Sequence, residues 1–326
     1  MATSSATIPQ MARPRGRASF LKRALSGDSL SQAITFTCAT LILVLTAALV
    51  FELWIHSAAS REKFGFHFLH TSTWDPVFEN FGALPFIYGT VMTSALALLI
   101  AVPFGVGAAI FLAELAPPKL SDAMTFLIEL LAAVPSVIFG LIGILVLVPL
   151  LSMVVPPVRD LFGDHAPFFF SGPFQGVSIL SAGVVLAVMI APYIISVSRE
   201  VLLVVPKDLR EASLAVGATR WETTWQVVVP YARRGIMGSI FLALARALGE
   251  TMAVTMVVGN APRISASILA PGDSMASVIA SQFAEAIGNL YPSALIELGL
   301  VLFGITIILN GAARLLILAT GEKGAK

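Results

Sequence analysis

Residues 207–230 read KDLREASLAVGATRWETTWQVVVP, a polar island between apolar runs at 176–198 and 234–258. Its signals are local. Pro206, just ahead of it, suits the start of a helix, where its missing N–H has no partner to lose. Lys207 to Val216 then reads as a helix, and Gly217 stops it as a residue able to take a positive φ. Thr219 with Glu222 has the spacing of a capping box and opens a second short helix. Pro230 is expected to end that one. The island is therefore expected to fold as two short helices joined by a glycine turn, held just under the apolar runs.

Outward from the island the chain is mostly apolar. Of its 326 residues 57% are hydrophobic and 12% charged, with a mean hydropathy of +0.90. A soluble domain is about 45–50% apolar and about 25% charged. The surplus is too large for a core and has to face lipid, which excludes a soluble enzyme, a disordered protein and a nucleic-acid binder. The net charge of +1 gives no bulk field to recruit a polyanion. Cys38 is the only cysteine, so no internal disulfide or zinc–cysteine site exists. His56, His67, His70 and His165 do not form the i, i+4 pair of a zinc protease, and no metal or other cofactor is called for. A phosphate-binding loop is absent too: Gly321-Glu322-Lys323-Gly324 is too short and misplaced, so energy has to come from a partner or an ion gradient.

A membrane helix needs about 20 mainly apolar residues. Six stretches qualify, 33–55, 87–112, 124–153, 176–198, 234–258 and 293–318, the third long enough to tilt or to break at Pro135. The first is read as an uncleaved anchor and not a signal peptide, because its apolar run is long and a long tail precedes it. An even number of spans puts both termini on one side. Arg13, Arg15, Arg17, Lys22, Arg23, Lys119, Arg199, Lys207, Arg210, Arg220, Arg233, Arg234, Arg314, Lys323 and Lys326 share that side, against Arg61, Lys63, Arg159 and Arg263 opposite. Excess Lys and Arg mark the cytoplasmic face, so both termini are expected in the cytoplasm. The domain plan is a disordered tail at 1–32, a first transmembrane helix at 33–55, a transmembrane domain at 85–318 that holds the loop 206–230, and a tail at 319–326. No internal repeat of the inverted-repeat kind is evident.

Glu211-Ala212-Ser213, Gly217 six residues after Glu211, then Val227, Val229 and Pro230, resemble the Glu-Ala-Ala loop of bacterial ABC importer permeases. Ser213 replaces the second Ala, and valines replace Ile and Leu. The position between the fourth and fifth spans matches as well. The resemblance implies an all-α, six-span type I ABC importer permease fold, with this loop docking on an ATPase subunit. Glu211, Ala212, Ser213, Gly217 and Pro230 would carry the docking, and Glu211 and Arg210 could both pair with the partner across the interface. Leu130-Leu131-Ala132-Ala133-Val134-Pro135-Ser136, Phe139-Gly140, and Arg246-Ala247-Leu248-Gly249-Glu250-Thr251-Met252-Ala253-Val254 further resemble the phosphate-specific permeases of the C type, over roughly residues 85–315. That resemblance implies four kinds of partner: a similar A-type permease subunit, two ATPase subunits, a phosphate-binding protein outside, and the bilayer of a bacterial inner membrane.

Arg246 falls near the middle of the fifth span, and Glu250 is at i+4, the spacing of one helical face. Intramembrane charges are costly and mark functional sites. A guanidinium fork fits a tetrahedral oxyanion. Phosphate near neutral pH keeps at least one proton, which a carboxylate can accept in a hydrogen bond; sulfate has none, so Glu250 would repel it. The pair thus reads as a phosphate filter, and the resemblance assigns it the same substrate-path role. Thr251 and Thr255 could add hydroxyl contacts. The alternative is an ion pair locking the helices, a role Glu129 and Glu297 could share. Pro103, Pro135 and Pro192 are expected to break spans two, three and four. Remaining functional alternatives are a permease for sulfate or molybdate, a proton-coupled carrier using Arg246 and Glu250 as a relay, and a non-transporting sensor.

Overall fold

The computed structural model describes residues 27–162 and 171–321; His165 and most of the two tails lie outside them, while 27–32 and 319–321 of the tails are helical. Among the described residues the chain is helical, with one isolated bridge between Asp75 and Asn80 and no strand. It divides into two compact units, one ending at Glu52 and one beginning at Leu53. The first unit holds most of helix α1 (Gly27–His56). The hydroxyls of Thr35, Thr37 and Thr46 donate to carbonyls four residues back, so these polar groups stay satisfied in an apolar helix.

In the second unit, α2 (Ala58–Phe64) and α3 (His67–His70) lead to α4 (Leu84–Ile110), which runs on through a π turn at Phe111–Leu115. Then come α5 (Pro118–Ala132), α6 (Ser136–Ile142) and, after a π turn at Gly143–Leu147, α7 (Val148–Phe162). Next are α8 (Ile179–Leu203), α9 (Lys207–Ala215) and α10 (Arg220–Thr223), whose π turn at Thr224–Val228 joins it to α11 (Val229–Leu248). The chain closes with α12 (Met252–Val257), α13 (Met275–Gln282) and α14 (Leu290–Gly321).

Among the described residues six helical stretches are long and apolar enough to span a membrane: Leu30–His56, Leu84–Leu115, Ser136–Asp160, Ile179–Leu203, Arg220–Leu248 and Leu290–Leu315. Two of them depart from the expected bounds. The third begins at Ser136 and not near 124, because the chain breaks at Pro135 and α5 becomes a separate helix. The fifth ends at Leu248 and not near 258, because the helix stops at Gly249 and restarts at Met252. The expectation for the prolines is corrected as well. Pro135 breaks the chain, but Pro103 and Pro192 lie inside continuous helices. Pro230 ends nothing: it is the second residue of α11, and the π turn before it, with Val229 N–H donating to the Thr224 carbonyl, absorbs the missing donor.

Three apolar clusters stack along the bundle. At one end Phe68, Phe81 and Phe86 pack with Met275, Leu295 and Leu298, and Trp74 meets Phe81 and Phe86 edge-on at 4.8 Å. The middle cluster joins α4, α8, α11 and α12 through Ala97, Ala101, Leu186, Ile190, Ala243 and Val254. Close approach here depends on small residues: a Cβ on Gly183 would lie 2.6 Å from Leu96, and one on Gly105 2.8 Å from Ile194. The third cluster, Ile110, Leu202, Val205, Val228 and Ile236, supports the polar island from beneath.

Candidate functional site

The polar island folds largely as its sequence dictates. Gly217 has φ +95° and open space where a Cβ would point, so glycine is required by backbone conformation and not by crowding. Both halves of the Thr219–Glu222 capping box are formed. The side chains then divide into two sets. Arg210 turns inward. Its Nη2 lies 2.7 Å from Glu114 Oε1 and its Nε 3.3 Å from Oε2, and it also donates to the carbonyls of Leu202 (2.8 Å) and Val205. Ser213 also points inward, its hydroxyl 3.0 Å from that of Thr223, tying α9 to α10. Glu211, Ala212 and Gly217 are exposed, as is Pro230. They share the outer surface with Val216 at 86% exposure and with Trp221 and Trp225, whose rings meet edge-on at 5.6 Å. Of the residues expected to dock, the structure therefore leaves Glu211, Ala212 and Gly217 facing out and uses Arg210 as the clamp beneath them.

Arg246, expected near the middle of the fifth span, lies two residues before its end at Leu248, and the helical-face reading is corrected as well. Arg246 is in the last turn of α11, and Glu250 lies in the break beyond it, so the two do not share one continuous helical face. Glu250 Oε1 instead accepts from the Ala253 N–H at 3.3 Å, capping α12. No ion pair joins the two among the described residues. Arg246 rests on the ring of Tyr193, with Cζ 4.4 Å from the ring centroid, well inside cation–π range. Its Nε is buried without a hydrogen-bond partner. The Thr255 hydroxyl donates to the Thr251 carbonyl at 2.7 Å, and that of Thr251 reaches the Gly249 carbonyl at 3.3 Å, so both are engaged locally. Glu129 is exposed on α5, outside the six spans. Glu297 is 6% exposed on α14, far along the chain from Arg246, and its Oε2 has no partner.

Three residues of consequence escape a reading of the sequence. Glu114, partner of Arg210, is separated from it by 96 positions. Tyr193 is a mid-span aromatic with a polar tip, which was its only signal. Asp273, in the loop between α12 and α13, is 1% exposed, and burial pushes its carboxyl up to about 6 even though the Ser274 N–H donates to its Oδ1 at 2.8 Å. Its carbonyl oxygen lies 1.9 Å from where a Cβ on Gly89 would stand, so this loop is pressed directly onto α4.

A family model described as "Binding-protein-dependent transport system inner membrane component" matches residues 101–319. Relatives called phosphate transport system permease protein PstC include one from Mesorhizobium japonicum, 46% identical over 89% of this chain and 90% of its own length. Another, from Haemophilus influenzae, is 46% identical over 89% of this chain and 93% of its own. One from Xylella fastidiosa is 41% identical over 98% and 99%. Among solved structures, a bacterial alginate ABC transporter chain superposes with a TM-score of 0.58 at 16% identity, covering 90% of this chain and 98% of that one. The inward-facing MetNI methionine ABC transporter gives 0.53 at 17%, covering 76% and 99%. These two establish a shared fold and no more. With six membrane-length helices and a family match over two thirds of its length, the chain belongs to the binding-protein-dependent transport system inner membrane components, alongside the PstC permeases.

Proposed function

We propose that the chain is the C-type permease subunit of an ATP-driven phosphate importer and supplies half of the translocation path. The observation that carries this reading is Arg246: a guanidinium in the last turn of the fifth span, stacked on an aromatic face, with no acceptor among the described residues. A fork of N–H donors held this way suits an incoming tetrahedral oxyanion. Glu250 lies in the break just beyond α11 with Oε1 on the Ala253 N–H, and its Oε2 can accept the proton that phosphate carries and sulfate lacks. This favours phosphate over sulfate or molybdate. The exposed Glu211, Ala212, Gly217 and their apolar neighbours form the docking face for an ATPase subunit, a feature a self-contained proton-coupled carrier does not need.

The working assembly then contains a second, A-type permease, two ATPase subunits on the cytoplasmic side and a phosphate-binding protein outside. The permease domain at 85–318 carries the coupling loop 206–230, and both termini lie in the cytoplasm with the Lys- and Arg-rich loops. The test is reconstitution of the four components in liposomes with labelled phosphate. Accumulation should require ATP and survive a protonophore. Uptake driven by an imposed proton gradient in the absence of the ATPase contradicts the reading.

A further inference from the structure

Tyr193 touches three parts of the bundle at once. It belongs to α8, one residue after Pro192. Its ring lies under the Arg246 guanidinium of α11, 4.4 Å from Cζ to the centroid. Its hydroxyl donates to the Ala132 carbonyl at 3.0 Å. Ala132 is the last residue of α5, immediately before the break at Ala133–Pro135. A helix-terminal carbonyl there lacks its intrahelical partner. The tyrosine hydroxyl fills that place, and in doing so fixes the ring.

The consequence for Arg246 is chemical. A carboxylate under the guanidinium would neutralise it and occupy part of its fork. An aromatic face holds the cation through its quadrupole and leaves every N–H donor available. Arg246 makes no hydrogen bond or ion pair among the described residues, and its Nε is buried without a partner, as this arrangement requires. We propose that Tyr193 is the positioning residue for Arg246: its ring sets the guanidinium face-on with its donors free, and its hydroxyl ties that setting to the α5–α6 break. The inference rests on the reading that Arg246 contacts the transported anion.

The test uses the whole transporter in liposomes and measures phosphate moved per ATP hydrolysed. Tyr193→Phe keeps the ring and loses the tie; Tyr193→Leu loses both. For Tyr193→Leu the ratio should fall by about tenfold to a hundredfold, the order that a misplaced contact group gives, with ATPase activity stimulated by the binding protein as in the wild type. Tyr193→Phe should lose less than about threefold, because the stack remains. Three outcomes overturn the inference: a wild-type ratio in Tyr193→Leu, a parallel fall of transport and hydrolysis that leaves the ratio unchanged, or equal losses in both variants. Arg246→Gln measured alongside separates the two claims. If it transports normally, the substrate-path reading fails; if it fails while Tyr193→Leu is normal, only the positioning role is lost.

Discussion

Arg210 and Arg246 are the same side chain put to opposite use in one bundle. Arg210, at the base of the polar island, has its fork on Glu114 and two further donors on the carbonyls of Leu202 and Val205. Arg246, in the fifth span, has no acceptor among the described residues and lies on an aromatic ring. A cation whose three nitrogens all donate to protein acceptors is a clamp, and its removal is felt in stability. One whose donors are unanswered is maintained at a cost, which the proposed anion contact would offset. The polar island is thus built on a closed ionic pair, whereas the membrane site is built around an open charge.

The contrast breaks first at the clamp. Arg210→Ala leaves Glu114, whose side chain is 11% exposed, without its partner, and loss of one member of such a pair costs about 3–5 kcal/mol. The island should become sensitive to protease and the purified complex should melt at lower temperature. Arg210→Lys should not restore it, since an ammonium cannot make the two-pronged contact or reach both carbonyls. If Arg210→Ala keeps the wild-type melting temperature and protease resistance and loses only ATPase binding, Arg210 is a docking residue and the contrast collapses.

A smaller effect is expected at Gly217, which sharpens the division between clamp and docking face. Its φ of +95° costs a β-branched residue about 1–3 kcal/mol, while nothing lies within 4 Å to clash with a Cβ. Gly217→Val should therefore leave the protein in the membrane at normal level but shift the exposed surface, reducing co-purification with the ATPase and phosphate uptake in cells. Normal uptake by this variant removes the turn from the coupling role.

What the sequence makes legible here is what is local. The six apolar stretches, the Gly217 turn and the Thr219–Glu222 capping box each depend on residues within a few positions of one another. The break at Gly249–Thr251 is hidden because apolar sequence continues on both sides, so a hydropathy window runs straight through it. That break is also why the i, i+4 spacing of Arg246 and Glu250 does not produce one helical face. At Pro135 the proline is visible in the sequence, but the partner that answers the Ala132 carbonyl at the break, Tyr193, lies 61 positions from Ala132 and has no local signature. Pro103 and Pro192 show the opposite outcome: both remain inside continuous helices that pack tightly on each other. The Arg210–Glu114 clamp is likewise a contact between distant positions with no signature in either segment.

The central claim is that Arg246 is an open charge held for the anion and not half of a structural lock. The most direct measurement is ATP-driven phosphate accumulation in liposomes by Arg246→Gln and by the double variant Arg246→Gln, Glu250→Gln. Removing the only guanidinium at the site should abolish transport in both, with the complexes assembled and the ATPase still stimulated by the binding protein. Transport at the wild-type rate by Arg246→Gln, or recovery in the double variant after loss in the single, would mean that the arginine serves to neutralise Glu250 and that the substrate-path assignment is wrong.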